Sequence, residues 1–156
     1  MKVSLITVGT KMPGWVQEAI KEYQKRIQSE LKFNLIEVPL PKRNNSQNIQ
    51  QCIKKEGEQI LKLVLPGSRI IALDISGISL STQQLVKKLN IFREKGQNIS
   101  LLIGGPDGLS QSCLDQSIER WSLSSLTLPH SLVRILVIEQ LYRAVSIIRA
   151  HPYHRD

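Results

Sequence analysis

Apolar residues along the chain switch between two spacings: short runs that are continuous or alternate, and longer stretches with an apolar residue every third or fourth position. Proline, glycine or hydroxyl residues mark most of the changes. Residues 2–8 are β-rich and stop at Gly9-Thr10 ahead of Pro13-Gly14, which predicts a first strand. Residues 15–27 carry Trp15, Val16, Ala19, Ile20, Tyr23 and Ile27 at helical spacing with Lys21, Lys25 and Arg26 between them, an amphipathic helix. A second strand is expected over 33–38, ended by Pro39 and Pro41, and a second helix over 46–65, closed by Pro66-Gly67. The near-continuous apolar run at 69–74 predicts a strand covered on both faces and ending at Asp74 in a Ser76-Gly77 turn. Ser81-Thr82 supplies an N-cap for a helix through Leu85, Val86, Leu89 and Phe92 to Gly96. After a strand at 99–103 come a short helix at 109–118, a fifth strand at 121–124 and the longest helix at 131–149.

Strands alternating with helices predict a single α/β domain over 1–156 built on a mainly parallel sheet. Ligands in such sheets sit beyond the carboxyl ends of the strands, which directs attention to Leu73, to Gly104 and to residues 123–128. The run Gly104-Gly105-Pro106-Asp107-Gly108-Leu109-Ser110 follows a strand and precedes a helix, a geometry that brings backbone N–H groups close to a ligand. It is neither a dinucleotide fingerprint nor a phosphate loop, and a plain strand-to-helix turn is the competing reading. Leu123-Ser124-Ser125-Leu126-Thr127-Leu128-Pro129-His130 alternates apolar and hydroxyl residues with almost no charge; it reads either as strand and loop or as a wall of backbone donors and small hydroxyls for a purine and ribose.

The last helix is apolar nearly all round, so its faces require cover, and a homodimer interface through it is the economical source. With 41 % apolar residues and no uninterrupted run long enough to cross a bilayer, the chain is expected to be soluble. Two cysteines, Cys52 and Cys113, make neither a disulfide framework nor a metal site, and reduced thiols in the cytoplasm are the default. The 21 Lys and Arg against 13 Asp and Glu leave a net charge of +8, which points to a polyanion such as nucleic acid. Lys11, and Arg43 in a basic polar loop, are candidate phosphate contacts; a solvated surface is the competing account.

Val8-Gly9-Thr10-Lys11, Glu37-Val38-Pro39, Leu73-Asp74, Ile103-Gly104-Gly105 with Gly108-Leu109, Leu126-Thr127-Leu128-Pro129-His130, Val133-Arg134, Glu139-Gln140-Leu141-Tyr142-Arg143-Ala144 and Tyr153-His154-Arg155 stand in the order and spacing of one family. Over its full length the chain resembles the ribosomal RNA large subunit methyltransferase H family, of the SPOUT class. The resemblance implies a SPOUT-type sheet flanked by helices with a C-terminal trefoil knot, a rare exception to unknotted topology. It also implies a homodimer, S-adenosyl-L-methionine as cofactor, and N3 of a pseudouridine in large-subunit ribosomal RNA as methyl acceptor. Carried over by motif, Leu73, Gly104, Leu123, Ser124, Ser125, Leu126, Thr127 and Leu128 would line the cofactor site. His154 or Glu139 would take the N3 proton, with Arg155 and Arg134 on phosphate or developing charge and Tyr153 packed on the base; for Glu139 a hydrogen-bonding role inside the interface is the alternative. The small size favours an assembled ribosome over naked RNA as substrate. A non-catalytic RNA-binding protein and a SPOUT enzyme acting on transfer RNA are the competing readings.

Overall fold

The computed structural model describes residues 1–42 and 48–153. Ten elements follow in order: β1 (Lys2–Val8), α1 (Gly14–Gln28), β2 (Lys32–Val38), α2 (Ile49–Lys62), β3 (Arg69–Ser79), α3 (Thr82–Glu94), β4 (Ile99–Ile103), α4 (Gln111–Gln116), β5 (Glu119–Ser122) and α5 (His130–Ile148). The strands form one sheet in the order β2-β1-β4-β3-β5, and every pairing is parallel.

Burial on both faces explains why β1 and β4 are apolar almost throughout. Val3 and Leu5 of β1 and Ile99, Leu101 and Ile103 of β4 pack with Val16 and Ile20 of α1, Leu89 and Phe92 of α3, and Val137, Ile138 and Leu141 of α5. On the other face Ile6, Val8, Ala72 and Leu102 meet Ile60 of α2 and Cys113 of α4. The strand period of two divides the two cores.

Caps set three of the helix starts. Asn48 Oδ1 accepts from the Gln50 N–H, Ser110 Oγ accepts from the Cys113 N–H, and Ser81 with Gln84 forms a reciprocal capping box.

Three expectations are corrected. The run that begins at Arg69 does not end in a turn at Asp74: Leu73 and Ile78 both pair with Trp121, so the intervening residues form a bulge and β3 continues to Ser79. Asp74 Oδ1 accepts from the Ser76 N–H at 2.8 Å inside that bulge, an Asx-type bond that mimics the predicted turn. The fifth strand is shifted toward the N-terminus, because Glu119 and Arg120 pair with Ile71 and Ala72. On α1, Trp15 is exposed although it falls in the apolar register.

α5 takes much of its cover from its own subunit. Val137, Ile138, Leu141, Ala144 and Val145 are buried in the core shared with α1 and α3, whereas Leu132 and Leu136 remain exposed. No helix among the described residues is long and apolar enough to cross a membrane.

Candidate active site

Leu73, Ile103 and Trp121 are in register, so β4 ends, and β3 breaks into its bulge, at the same level beside β5. A cavity of about 370 Å³ opens there, within the range of small-molecule sites. Its walls are the loop after β4, the segment after β5, the β3 bulge at Asp74 and Ile75, and the first turn of α5 at His130 and Val133.

Close backbone packing shapes the glycine loop. A Cβ on Gly104 would lie 2.3 Å from the Gly108 carbonyl carbon and 2.6 Å from the Leu109 nitrogen. Gly108 N–H donates to the Gly105 carbonyl at 3.0 Å, and its φ of +85° is the left-handed conformation that closes the turn. The loop runs directly into Ser110, whose hydroxyl caps α4.

The segment after β5 has no regular hydrogen-bonding ladder and is held by its own serines. Ser122 Oγ donates to the Ser124 carbonyl at 3.0 Å, and Ser124 Oγ accepts from the Leu126 N–H at 3.0 Å. These two bonds hold a path that lays backbone and small side chains along the cavity. Leu73, Gly104, Leu123, Ser124, Leu126, Thr127 and Leu128 all line it; Ser125 does not. Asp74, Ile75, His130 and Val133 line it as well and were not among the candidate residues.

Two titratable side chains line the cavity, Asp74 and His130. Burial, then the positive charge of Arg134 one turn along α5, lowers the His130 pKa below the ordinary histidine value, so the imidazole is neutral near pH 7.

Arg134 is not the phosphate contact expected of it. Its side chain is fully buried, forms an ion pair with Glu37 through Nη1, and donates through Nη2 to the carbonyls of Val8 and Gly9, each at 2.8 Å. Burial pushes its pKa down and Glu37 opposes that. The guanidinium ties α5 to the ends of β1 and β2 through three internal acceptors, its Nε has no hydrogen-bond partner among the described residues, and its burial keeps it from RNA.

Glu139 and Tyr153 also lie away from the cavity. Glu139 accepts from Arg143 Nε at 2.9 Å, Gln140 Nε2 at 2.7 Å and the Tyr153 hydroxyl at 3.2 Å. The Tyr153 ring packs on Tyr142 with centroids 4.6 Å apart, under the Arg143 guanidinium at 5.0 Å. Burial, the Tyr23 hydroxyl and the Glu139 charge all raise the Tyr153 pKa, so it stays a neutral phenol. Nine residues of helix separate Glu139 from His130, about 14 Å along the axis. In its own subunit this cluster is a structural clasp between α5, α1 and the chain end. Lys11 is exposed in the loop after β1. Arg43, His154 and Arg155 lie outside the described residues. No group of three or more metal-ligating side chains is present among the described residues.

Residues 1–154 match the family described as predicted SPOUT methyltransferase. The chain is 54% identical to the ribosomal RNA large subunit methyltransferase H of Saccharophagus degradans, over 99% of this chain and 100% of that protein. It is 47% identical to the protein of the same name from Hahella chejuensis, over 100% of both. Among solved structures, a probable methyltransferase from Bordetella pertussis superposes with a TM-score of 0.59 at 13% identity, covering 92% of this chain and 94% of that one. A probable methylase family protein from Haemophilus influenzae superposes with a TM-score of 0.56 at 15% identity, covering 99% of this chain and 70% of that one. These two likenesses concern the fold.

Proposed function

Because the chain belongs to the SPOUT methyltransferases, in the ribosomal RNA large subunit methyltransferase H family, we propose that it methylates N3 of a pseudouridine in large-subunit ribosomal RNA, with S-adenosyl-L-methionine as donor and the assembled ribosome as substrate. The observation that carries this reading is the cavity itself, walled by the glycine loop, the segment after β5 and mostly apolar side chains where β4 ends and β3 breaks into its bulge.

The residues present fit that donor. Gly104 lets the loop backbone pack on itself beside the cavity, and the hydroxyl and carbonyl groups of 122–128 match a nucleoside's hydrogen-bonding edge. Among the described residues Asp74 is the one carboxylate on the wall, and it complements a ligand that carries positive charge. When bound, the donor supplies an electrophilic methyl group on a sulfonium. The protein's own contributions are to hold the acceptor nitrogen in line, to keep water out and to accept its proton.

N3 lies on the Watson–Crick edge, so the target must be unpaired to react. The charge of +8 supplies attraction to the RNA backbone, with Lys11 and Arg43 as candidate contacts. We assign Leu132 and Leu136, the apolar side chains of α5 that its own subunit leaves exposed, to a homodimer interface through that helix. Such a dimer could also bring a partner's chain end, with His154 and Arg155, toward the cavity. A cytoplasmic location accords with this substrate and with two buried cysteines that form no disulfide.

Labelled donor incubated in parallel with purified ribosomes, separated subunits and naked ribosomal RNA, followed by nucleoside analysis, tests the whole reading. Label in N3-methylpseudouridine from ribosomes alone is the expected result. Transfer to another nucleoside or only to transfer RNA would overturn the substrate; absence of donor binding would overturn the cavity assignment.

A further inference from the structure

Proton removal is the part of this chemistry for which the described structure leaves an opening. A neutral imide nitrogen is a poor nucleophile; it must lose its proton as it attacks. The two catalytic candidates on the described chain, Glu139 for the proton and Tyr153 for packing on the target base, are both committed elsewhere. Glu139 is held by Arg143, Gln140 and Tyr153 outside the cavity, and Tyr153, with its raised pKa, is a donor to that carboxylate. Within the cavity Asp74 already receives the Ser76 N–H and hydroxyl on Oδ1. His130 is different: it lines the cavity on the first residue of α5, half-buried, with burial and the Arg134 charge as the influences on its titration and no hydrogen bond among them.

We propose that His130 is the general base of the reaction, its imidazole accepting the N3 proton of the target pseudouridine. The assignment rests on the methyl-transfer reading above. In the step the N3–H bond breaks toward an unprotonated ring nitrogen of His130, and the N3 electron pair forms the new N–C bond to the methyl carbon. The C–S bond electrons pass to sulfur, so the sulfonium becomes a neutral thioether and the histidine an imidazolium. The imidazolium then releases its proton to solvent through the cavity mouth.

The surroundings keep the base ready. Arg134 faces His130 from its own helix, and its charge is partly offset by Glu37 of β2. Asp74 of β3 is the other titratable group on the cavity wall; the glycine loop and the segment after β5 add none to it. The first turn of α5 also carries the positive end of the helix dipole, which disfavours an imidazolium before reaction. Full transfer ahead of attack would run uphill against so weak a base, so proton loss and methyl transfer must proceed together. Arg134 then acts on the base only through its charge.

The test compares wild type with His130→Gln and His130→Asn, using ribosomes and saturating donor from pH 5 to 9, with donor affinity measured separately. Wild-type rate should rise with pH to a break below about pH 6.5 and then level off. Both variants should lose that break and slow by about 10²–10⁴-fold at pH 7 while binding donor with unchanged affinity. Titration of the His130 ring by NMR in the free protein should give the same break, a readout independent of turnover. If the variants keep wild-type rate and pH profile, His130 is not the base and a residue of the chain end takes its place. If the variants lose donor affinity in proportion to rate, His130 is a binding residue and the proposal falls. A wild-type protein that transfers no methyl to any RNA would instead overturn the functional reading beneath it.

Discussion

A Cβ placed on Gly57 would lie 2.0 Å from the Ser110 hydroxyl oxygen and 2.6 Å from its Cβ, so the serine that caps α4 sits where any other side chain of α2 would have to be. α2 thereby sets the position of the residue that follows the glycine loop.

Gly57→Ala should therefore act at two places. Overpacking of this kind costs about 1–3 kcal/mol, measurable as a lower urea midpoint. Because Ser110 adjoins Leu109 on the cavity wall, donor affinity should fall as well. Ser110→Gly in the same background should return part of the stability, since it removes the clashing atoms while giving up the cap.

Arg134→Met leaves Glu37 and the carbonyls of Val8 and Gly9 without their donor. Breaking a buried pair from one side costs about 3–5 kcal/mol. The double variant Arg134→Met with Glu37→Gln should lose less than the single one in chemical denaturation. If folded Arg134→Lys protein is recovered, the salt dependence of its RNA binding should match wild type, because the guanidinium is not a phosphate contact.

Leu126 is 74% exposed yet lines the cavity, so its side chain serves a ligand more than the core. Leu126→Ala should change stability by no more than about 0.5 kcal/mol while weakening donor binding in calorimetry. Ser125→Ala, off the cavity, should leave both unchanged, whereas Ser124→Ala should weaken donor binding by freeing the Leu126 N–H. Gly104→Ala is a poorer probe, since its new Cβ would push the Gly108 backbone and disturb fold and site together.

Glu119 accepts from Lys88 Nζ at 2.6 Å and Trp121 Nε1 at 2.6 Å. Burial raises its pKa, but those two donors and the Lys88 charge outweigh it and hold the carboxyl below the usual range. A carboxylate with a lowered folded pKa contributes stability above its unfolded value, about 4.3, and loses it as pH falls through the folded value. The gap in urea midpoint between wild type and Glu119→Gln should be open near neutral pH and close as the pH falls through the lowered folded value.

Much of the fold was legible because each element obeys one period. Residues 99–103 read as a strand and are one, buried on both faces, since Ile99, Leu101 and Ile103 serve one core and Leu102 the other. The β3 bulge was not legible, because Asp74 and Ser76 carry the chemistry of a turn and make its hydrogen bonds while the strand resumes at Ile78. Arg134 was misread for a similar reason: a lone arginine in an apolar helix looks the same whether it reaches out to phosphate or in to Glu37. The cavity walls at Gly104 and 122–128 could be named from their motif. His130 needed the fold, which turns the first residue of α5 toward the ends of three distant strands.

A wall built partly of main chain has a further consequence for how such a protein can change. Peptide N–H and C=O groups are the same whatever the side chain, so substitutions along 122–128 that keep the backbone path leave that part of the wall untouched and act only through the side chains, such as Leu126, that face the cavity. Redrawing the main-chain part would call for insertions or deletions in the loop.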